Sequence, residues 1–280
     1  MFNLFMPLLF LAQMPETDVW LFKLSKKDGL YSCASGLNIT NRPGYDNQPS
    51  FSSDGKSILY VKIDSTKQAD IYRYDIAKKT HVNLTKSEVS EYSPSYLPDN
   101  NGFSCVVVEK DSSQRIWQYN LDGTFSKILF PEIDSVGYHT WLNADSLLYY
   151  KLTEPHSLRA VNKDLQDNWL ADKPTRAFKK MQTAHQFIYG VKQDSVIHYR
   201  VYNASLRESH LFAIHKSTSE DFIWHHEFGL LKSEGSDILR YNEKVKQWEV
   251  LFSFSHVGIK KITRFMFDSK NKQLVLVSNL

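Results

Sequence analysis

The residues of this 280-residue chain that could most readily do chemistry are its ten histidines and a few carboxylates. Histidine and acidic residues stand together in His225-His226-Glu227, which lacks the second histidine four residues on that a helical zinc site requires. These residues lie in a predicted strand, where adjacent side chains point to opposite faces, so the two rings cannot easily bind one ion. We interpret the pair as one inward and one solvated histidine.

The sequence contains no motif that carries a known catalytic chemistry. It has no Gly-x-Ser-x-Gly nucleophile elbow, no glycine-rich phosphate loop and no dinucleotide fingerprint. Its 34 basic side chains are scattered and nearly balanced by 31 acidic ones, which argues against nucleic-acid binding. We therefore expect no catalytic residues, no metal ligands and no cofactor, while a calcium ion held by oxygen atoms in a central channel stays open as an alternative.

An internal repeat must position whatever site the chain has. Aromatic residues stand at intervals of 45 residues, at Phe51, Tyr96 and Trp141, and looser copies follow. In the clearest copy a first strand precedes the turn Ser53-Asp54-Gly55-Lys56, whose Asp-Gly pair favours a hairpin, and three further short strands follow. Four-strand units of about 40–45 residues are typical of a β-propeller. We expect the repeated aromatics to lie in the core between neighbouring units.

The number of units predicts how the ring closes. Five units lie between residues 49 and 261. The C-terminus then supplies two strands, 262–267 and 273–277, and the N-terminus supplies segments 19–24 and 29–40. The sequence therefore predicts an all-β fold, a six-bladed β-propeller of four-stranded blades whose N- and C-terminal strands share the last blade.

Two stretches carry a family resemblance. Asn47–Tyr60 together with Ala69–Asp75 resembles the WD-type repeat of TolB-like propellers, with Ser53 in place of the usual proline. Glu91–Tyr96 and Arg115-Ile116-Trp117 look like the next repeat of secreted bacterial members. The resemblance implies a six-bladed propeller of the cell envelope or exterior that binds other proteins.

The loops that lead into the innermost strands should converge at one mouth of the central channel. They carry tyrosines beside carboxylate, amide or imidazole groups, and tyrosine provides a large contact area at a small entropic cost. We predict that this surface, here named the predicted rim, binds the ligand; the alternative is that its polar groups only satisfy backbone atoms at turns. The predicted rim comprises Tyr45, Asp46, Asn47, Glu91, Tyr92, Tyr138 and His139.

The N-terminal residues 1–13 are apolar and uncharged but too short to span a bilayer, which needs about 20 apolar residues. They fit a signal peptide, which leaves residues 14–280 as a single propeller domain with no transmembrane segment. We expect a periplasmic or secreted monomer that binds a protein or peptide ligand without catalysis. The alternative is a metal-dependent hydrolase or lyase of small molecules with its site in the central channel, as in gluconolactonase-like propellers.

Overall fold

A computed structural model of the protein describes residues 15–34, 36–182, 185–217 and 219–279. Throughout these ranges the chain forms short antiparallel strands joined by turns, and they contain no α-helix, only one 3-10 turn at Ser255–Val257. The all-β prediction is confirmed. The predicted signal peptide, residues 1–13, lies outside the described residues.

Between three N-terminal and two C-terminal strands, the described strands follow one another in groups of four. The N-terminal strands are β1 (Thr17–Lys27), β2 (Leu30–Cys33) and β3 (Leu37–Asn38). The next group is β4 (Tyr45–Phe51), β5 (Ser57–Ile63), β6 (Ala69–Asp75) and β7 (Thr80–Asn83). The group after it is β8 (Ser90–Tyr96), β9 (Gly102–Val108), β10 (Gln114–Asn120) and β11 (Phe125–Leu129). In these two groups the first strand ends at the repeated aromatic residue, Phe51 in β4 and Tyr96 in β8.

The second half of the chain continues the same order. One group is β12 (Val136–Asn143), β13 (Ser146–Lys151), β14 (Ser157–Asn162) and β15 (Asp167–Asp172). Two more are β16 (Pro174–Lys180), β17 (Gln186–Gln193), β18 (Val196–Asn203) and β19 (Glu208–Lys216), then β20 (Phe222–His225), β21 (Gly229–Glu234), β22 (Asp237–Asn242) and β23 (Gln247–Ser253). The last strands are β24 (Ile262–Phe267) and β25 (Gln273–Asn279).

The two ends of the chain meet in one sheet. Strand β1 pairs antiparallel with β25 over Thr17–Lys23, and β25 pairs with β24. On its other edge β1 pairs with β2 and β3, and the single pair Thr17–Tyr45 connects it to β4. The first strands of successive groups contact one another in chain order from β4 to β24, and β24 in turn contacts β4. The described strands therefore form several four-stranded sheets that neighbour one another in sequence.

The core lies between neighbouring sheets. Leu59 and Val61 on β5, for example, pack with Phe103 and Cys105 on β9 in a fully buried cluster. Burial of apolar area between sheets stabilises the fold because a single sheet cannot cover both of its faces. This packing aligns the first strands side by side.

The first strands bulge where they carry the repeat motif. In β4 the residues Gln48 and Pro49 stand opposite one residue of β5, and in β8 Ser93 and Pro94 stand opposite one residue of β9. A bulge suits proline because the ladder there needs no N–H from it. The residue before each proline has positive φ, 57° at Gln48 and 53° at Ser93, and the Ser93 amide donates to Gln48 Oε1 at 2.6 Å. The motif thus sets how the first strands present their side chains.

Candidate functional site

A cavity of about 460 Å³ lies among the first strands. Every first strand from β4 to β24 contributes lining, and we name this space the first-strand cavity. Its neutral side is formed by Gln48, Pro49, Ser50, Ser93, Pro94 and Ser95. Its aromatic side includes Tyr96, Tyr138 and Trp141, and its charged side includes Arg176, Lys179, Lys180, Asp221 and Arg264. The cavity thus combines apolar surface with an excess of positive charge.

Asp221, directly before β20, lies between two guanidinium groups. Arg176 Nη2 donates to Asp221 Oδ2 and also to the Thr263 carbonyl oxygen at 3.2 Å. Arg264 Nη1 lies 3.5 Å from Asp221 Oδ1, and its guanidinium carbon lies 5.5 Å from the ring centre of Tyr138. One carboxylate therefore faces two arginines, and the aromatic ring supports the second one through a cation–π contact.

Two lysines at the end of β16 add to this charge. Lys179 is half-buried, and burial lowers the pKa of its ammonium group below the usual 10.5. Within the described ranges the Lys179 ammonium group makes no hydrogen bond or ion pair, although the residue itself pairs with Ile188 of β17 in the sheet. Lys180 beside it is exposed. Since desolvation of an unpaired ammonium costs free energy, Lys179 is poised to gain from an anionic partner.

His139 is part of the cavity wall but is tied to its neighbours. Its side chain is buried, and its Nε2 lies 2.7 Å from Ser104 Oγ, which also accepts a hydrogen bond from Trp141 Nε1 at 2.9 Å. Burial lowers the pKa of His139 to about 4, so the imidazole is neutral at neutral pH. His139 therefore anchors the half-buried Trp141 through Ser104.

The two carboxylates of the predicted rim are equivalent members of the repeat and lie behind the cavity. Asp46 and Glu91 both have 0% exposure. Glu91 accepts hydrogen bonds from Thr85 Oγ1 at 3.1 Å and from Ser87 Oγ, and Asp46 accepts one from Arg42 Nη2 at 2.8 Å. Burial raises the pKa of Glu91 to about 7 and that of Asp46 to about 6. These carboxylates fix the entry into β8 and β4.

Three other members of the predicted rim also lie outside the cavity wall. Asn47 is buried and its Oδ1 accepts the Gln48 amide at 2.7 Å, while Tyr45 and Tyr92 pack against the core cluster between β5 and β9. Burial raises the pKa of Tyr45. These three residues therefore serve the packing and the turn rather than the cavity wall.

The sequence interpretation placed the predicted rim on loops that precede the first strands, and this placement is wrong. The seven residues belong to β4, β8 and β12 themselves. Among these seven, Tyr138 and His139 line the first-strand cavity and the other five do not. The strands begin earlier than the motif suggested because residues on both sides of each bulge pair with the second strand.

Sequence analysis missed the cationic lining, although the repeat contained a signal for it. Arg176 stands two residues before Phe178, the position that His139 holds before Trp141 and Pro49 holds before Phe51. A residue that faces the cavity in one copy of a repeat does so in the next. Aligning the loose copies by their aromatic residues would have placed this arginine at the cavity.

A divalent cation does not fit this lining. The cavity carboxylate, Asp221, is already paired with Arg176 and Arg264, and the two lysines add repulsion. His139 uses Nε2 for Ser104, and only its Nδ1 is without a hydrogen-bond partner, so it could offer at most one ligand atom. In the part of the chain that the structure describes, no three His, Cys, Asp or Glu side chains are grouped so that they could hold a metal ion.

The sequence matches no known protein-family profile and no curated protein. Solved structures are similar in fold. A putative TolB from Agrobacterium tumefaciens has a TM-score of 0.70 at 11% identity, covering 95% of this chain and 99% of that one. TolB from Acinetobacter baumannii has a TM-score of 0.51 at 15% identity, covering 67% of this chain and 50% of that one, so this chain matches about half of it.

Enzymes share the same architecture. A gluconolactonase from Xanthomonas campestris has a TM-score of 0.63 at 9% identity, covering 92% of this chain and 95% of that one.

Within the described ranges no helix is long and apolar enough to cross a membrane. The sheets and these similarities together identify the fold: the chain has a β-propeller fold like that of TolB.

Proposed function

We propose that this protein is a six-bladed propeller that binds a protein or peptide ligand in its first-strand cavity and does not catalyse a reaction. The sixth blade is formed by β24, β25 and β1, with β2 and β3 at its outer edge. The cyclic order of contacts from β4 through β24 and back to β4 supports a closed ring. The pairing of β1 with β25 supports closure by the two chain ends.

The observation that carries this proposal is the composition of the first-strand cavity. Its aromatic and proline side chains offer apolar contact area beside charged groups, which is the combination that peptide-binding sites use. Tyr138 and His139, from the predicted rim, contribute to the wall. The protein would act as a monomer in the periplasm or outside the cell, with residues 1–13 as its signal peptide.

The proposed binding is tested by filling the cavity. Residues 14–280 serve as bait in an envelope extract of the native host, beside the Ser50→Trp variant, whose indole would occupy the cavity. The matched control is Ser126→Trp, at an exposed site on the outer strand β11. We expect a specific partner retained by the unaltered bait and by Ser126→Trp but lost from Ser50→Trp.

Equal unfolding midpoints of the three baits must accompany that result. A partner retained equally by Ser50→Trp would contradict a cavity ligand. Failure of all three baits to retain any specific protein would contradict the protein-binding function. The hydrolase or lyase alternative would then be tested with lactone and uronate substrates, because a gluconolactonase and an oligogalacturonate lyase (TM-score 0.56, 11% identity, covering 93% of this chain and 86% of that one) are similar in fold.

A further inference from the structure

The charges of the first-strand cavity are unevenly distributed. The side formed by β4 and β8 presents glutamine, proline and serine, while β16, β24 and the residue before β20 present four cations and one carboxylate. The four cations share one carboxylate, so most of the positive charge is not neutralised. Arg176 donates hydrogen bonds to Asp221 and to the Thr263 carbonyl oxygen, whereas the side chains of Arg264 and Lys179 donate none among the described residues.

Arg264 has almost no partner for its hydrogen-bond donors. Its side chain is 17% exposed, and its closest approach to a carboxylate is the 3.5 Å contact with Asp221. No hydrogen bond donated by Arg264 is found among the described residues. The Arg264 guanidinium carbon lies over the Tyr138 ring, 5.5 Å from the ring centre. The N–H groups of Arg264 that face the cavity are therefore available to an acceptor there.

Arg264 and Lys179 thus provide two half-buried cations on one cavity whose donors have few protein acceptors. Partial burial weakens their hydration, so an anion in the cavity gains more from them than from fully exposed cations. The planar guanidinium of an arginine binds both oxygens of a carboxylate through parallel hydrogen bonds. We propose that the first-strand cavity recognises a carboxylate group of its peptide ligand through Arg264 and Lys179.

This inference rests on the proposed function, because the ligand is taken to be a peptide. The apolar lining beside the cations supports that choice. Trp141, Phe265 and Met266 border the charged side and would contact the side chains next to the carboxylate. The carboxylate belongs either to an acidic side chain or to the C-terminus of the peptide, and the two sources are separated by the probes.

The test measures fluorescence anisotropy of labelled peptides with the full chain. The reference probe is a short peptide of alternating glutamate and leucine with a free C-terminus. A second probe has the same sequence with an amidated C-terminus, and a third has glutamine for every glutamate. Inorganic phosphate serves as an unlabelled competitor that carries a different anion, and trigalacturonate as one that carries carboxylates on a sugar in place of a peptide.

We expect the glutamate peptide to bind and the probe that lacks the recognised carboxylate to bind at least about tenfold more weakly. Arg264→Gln and Lys179→Met should each weaken binding of the reference probe by about tenfold or more. Arg264→Lys keeps the charge but not the planar fork, so it should bind with intermediate affinity. The control Lys127→Gln, exposed on β11, should leave the affinity unchanged within about twofold.

Several results would overturn the inference. Equal binding of all three peptides, unchanged affinity in both cavity variants, or no peptide binding at all would each exclude carboxylate recognition of a peptide. Trigalacturonate binding in place of peptide would assign the cavity to a uronate. A partner captured equally by the unaltered protein and by Arg264→Gln, with equal unfolding midpoints, would overturn this inference and leave the proposed function standing.

Discussion

The two halves of the molecule use the same backbone position for different purposes. Pro49 in β4 and Pro94 in β8 sit in bulges that turn a neutral surface toward the first-strand cavity. In β16 the corresponding residue two positions before the aromatic is Arg176, and β24 brings Arg264 to the same cavity. The regular copies of the repeat therefore build the scaffold, while the irregular copies carry the charge.

The same contrast holds for acidic residues. In the N-terminal half, Asp46 and Glu91 are buried behind the cavity and bond to side chains of their own loops. In the C-terminal half, Asp221 borders the cavity and pairs with arginines from two strands. Asp46 and Glu91, in the regular copies of the repeat, hold neighbouring loops by hydrogen bonds. Asp221, in an irregular copy, partly neutralises the cations of the first-strand cavity.

The largest expected effect comes from removing a regular aromatic. Phe51→Ala should lower the free energy of unfolding by about 3–5 kcal/mol, because the ring is buried among Val19, Ile58 and Val275. Trp141→Ala should cost less, about 2 kcal/mol, since Trp141 is half-buried at the cavity wall. Urea unfolding of both variants measures the difference. Equal costs would contradict the division between core and cavity aromatics.

Glu91 should make stability depend on pH. Its pKa rises from 4.5 to about 7 in the folded protein, so the folded state keeps a proton that the unfolded chain loses in this range. The resulting stabilisation is present at pH 4.5 and is lost as the pH rises to 7. Glu91→Gln removes this dependence, so its stability relative to the unaltered protein should increase by on the order of 3 kcal/mol between these pH values.

Chemical unfolding at several pH values measures that difference. The opposite dependence of His139, whose pKa is lowered by burial, is common to both proteins and cancels. Glu88→Gln is the control, because Glu88 is exposed and pairs with Lys110 at the surface. A constant difference between the unaltered protein and Glu91→Gln across the range would contradict a protonated buried carboxylate.

Much of the fold was accessible from the sequence, and little of the site was. The spacing of Phe51, Tyr96 and Trp141 and the Asp-Gly turn predict strand groups that the structure contains. The burial of Glu91 was not predictable, because its partners Thr85 and Tyr119 come from the preceding loop and a neighbouring strand. A cavity assembled from six separate strands likewise depends on how the sheets pack, which local patterns do not encode.

Asp221→Asn tests the charged side of the first-strand cavity by removing its carboxylate rather than one of its cations. The substitution removes the carboxylate that competes with a ligand for Arg176 and Arg264, so the glutamate peptide should bind a few-fold more tightly. Stability should fall by about 1–3 kcal/mol, because two cations lose their partner. Anisotropy and urea unfolding measure the two effects. Weaker peptide binding in a folded Asp221→Asn protein would indicate that Asp221 itself contacts the ligand.

The smallest effect is expected at the neutral side of the first-strand cavity. Ser50→Ala removes a hydroxyl that lines the cavity and bears no charge. The affinity for the glutamate peptide should stay within about twofold of the unaltered value, since no charged donor is lost. A tenfold loss of affinity in this variant would contradict the assignment of peptide recognition to the charged side of the cavity.

The most direct test of the account is a crystal structure of the protein with the glutamate peptide. The crystals are grown at a peptide concentration above the measured dissociation constant. The account predicts electron density for a carboxylate in the first-strand cavity, within hydrogen-bond distance of Arg264 and Lys179. Density for the peptide at the neutral side of the cavity alone, density on an outer strand, or no peptide density in the cavity would contradict it.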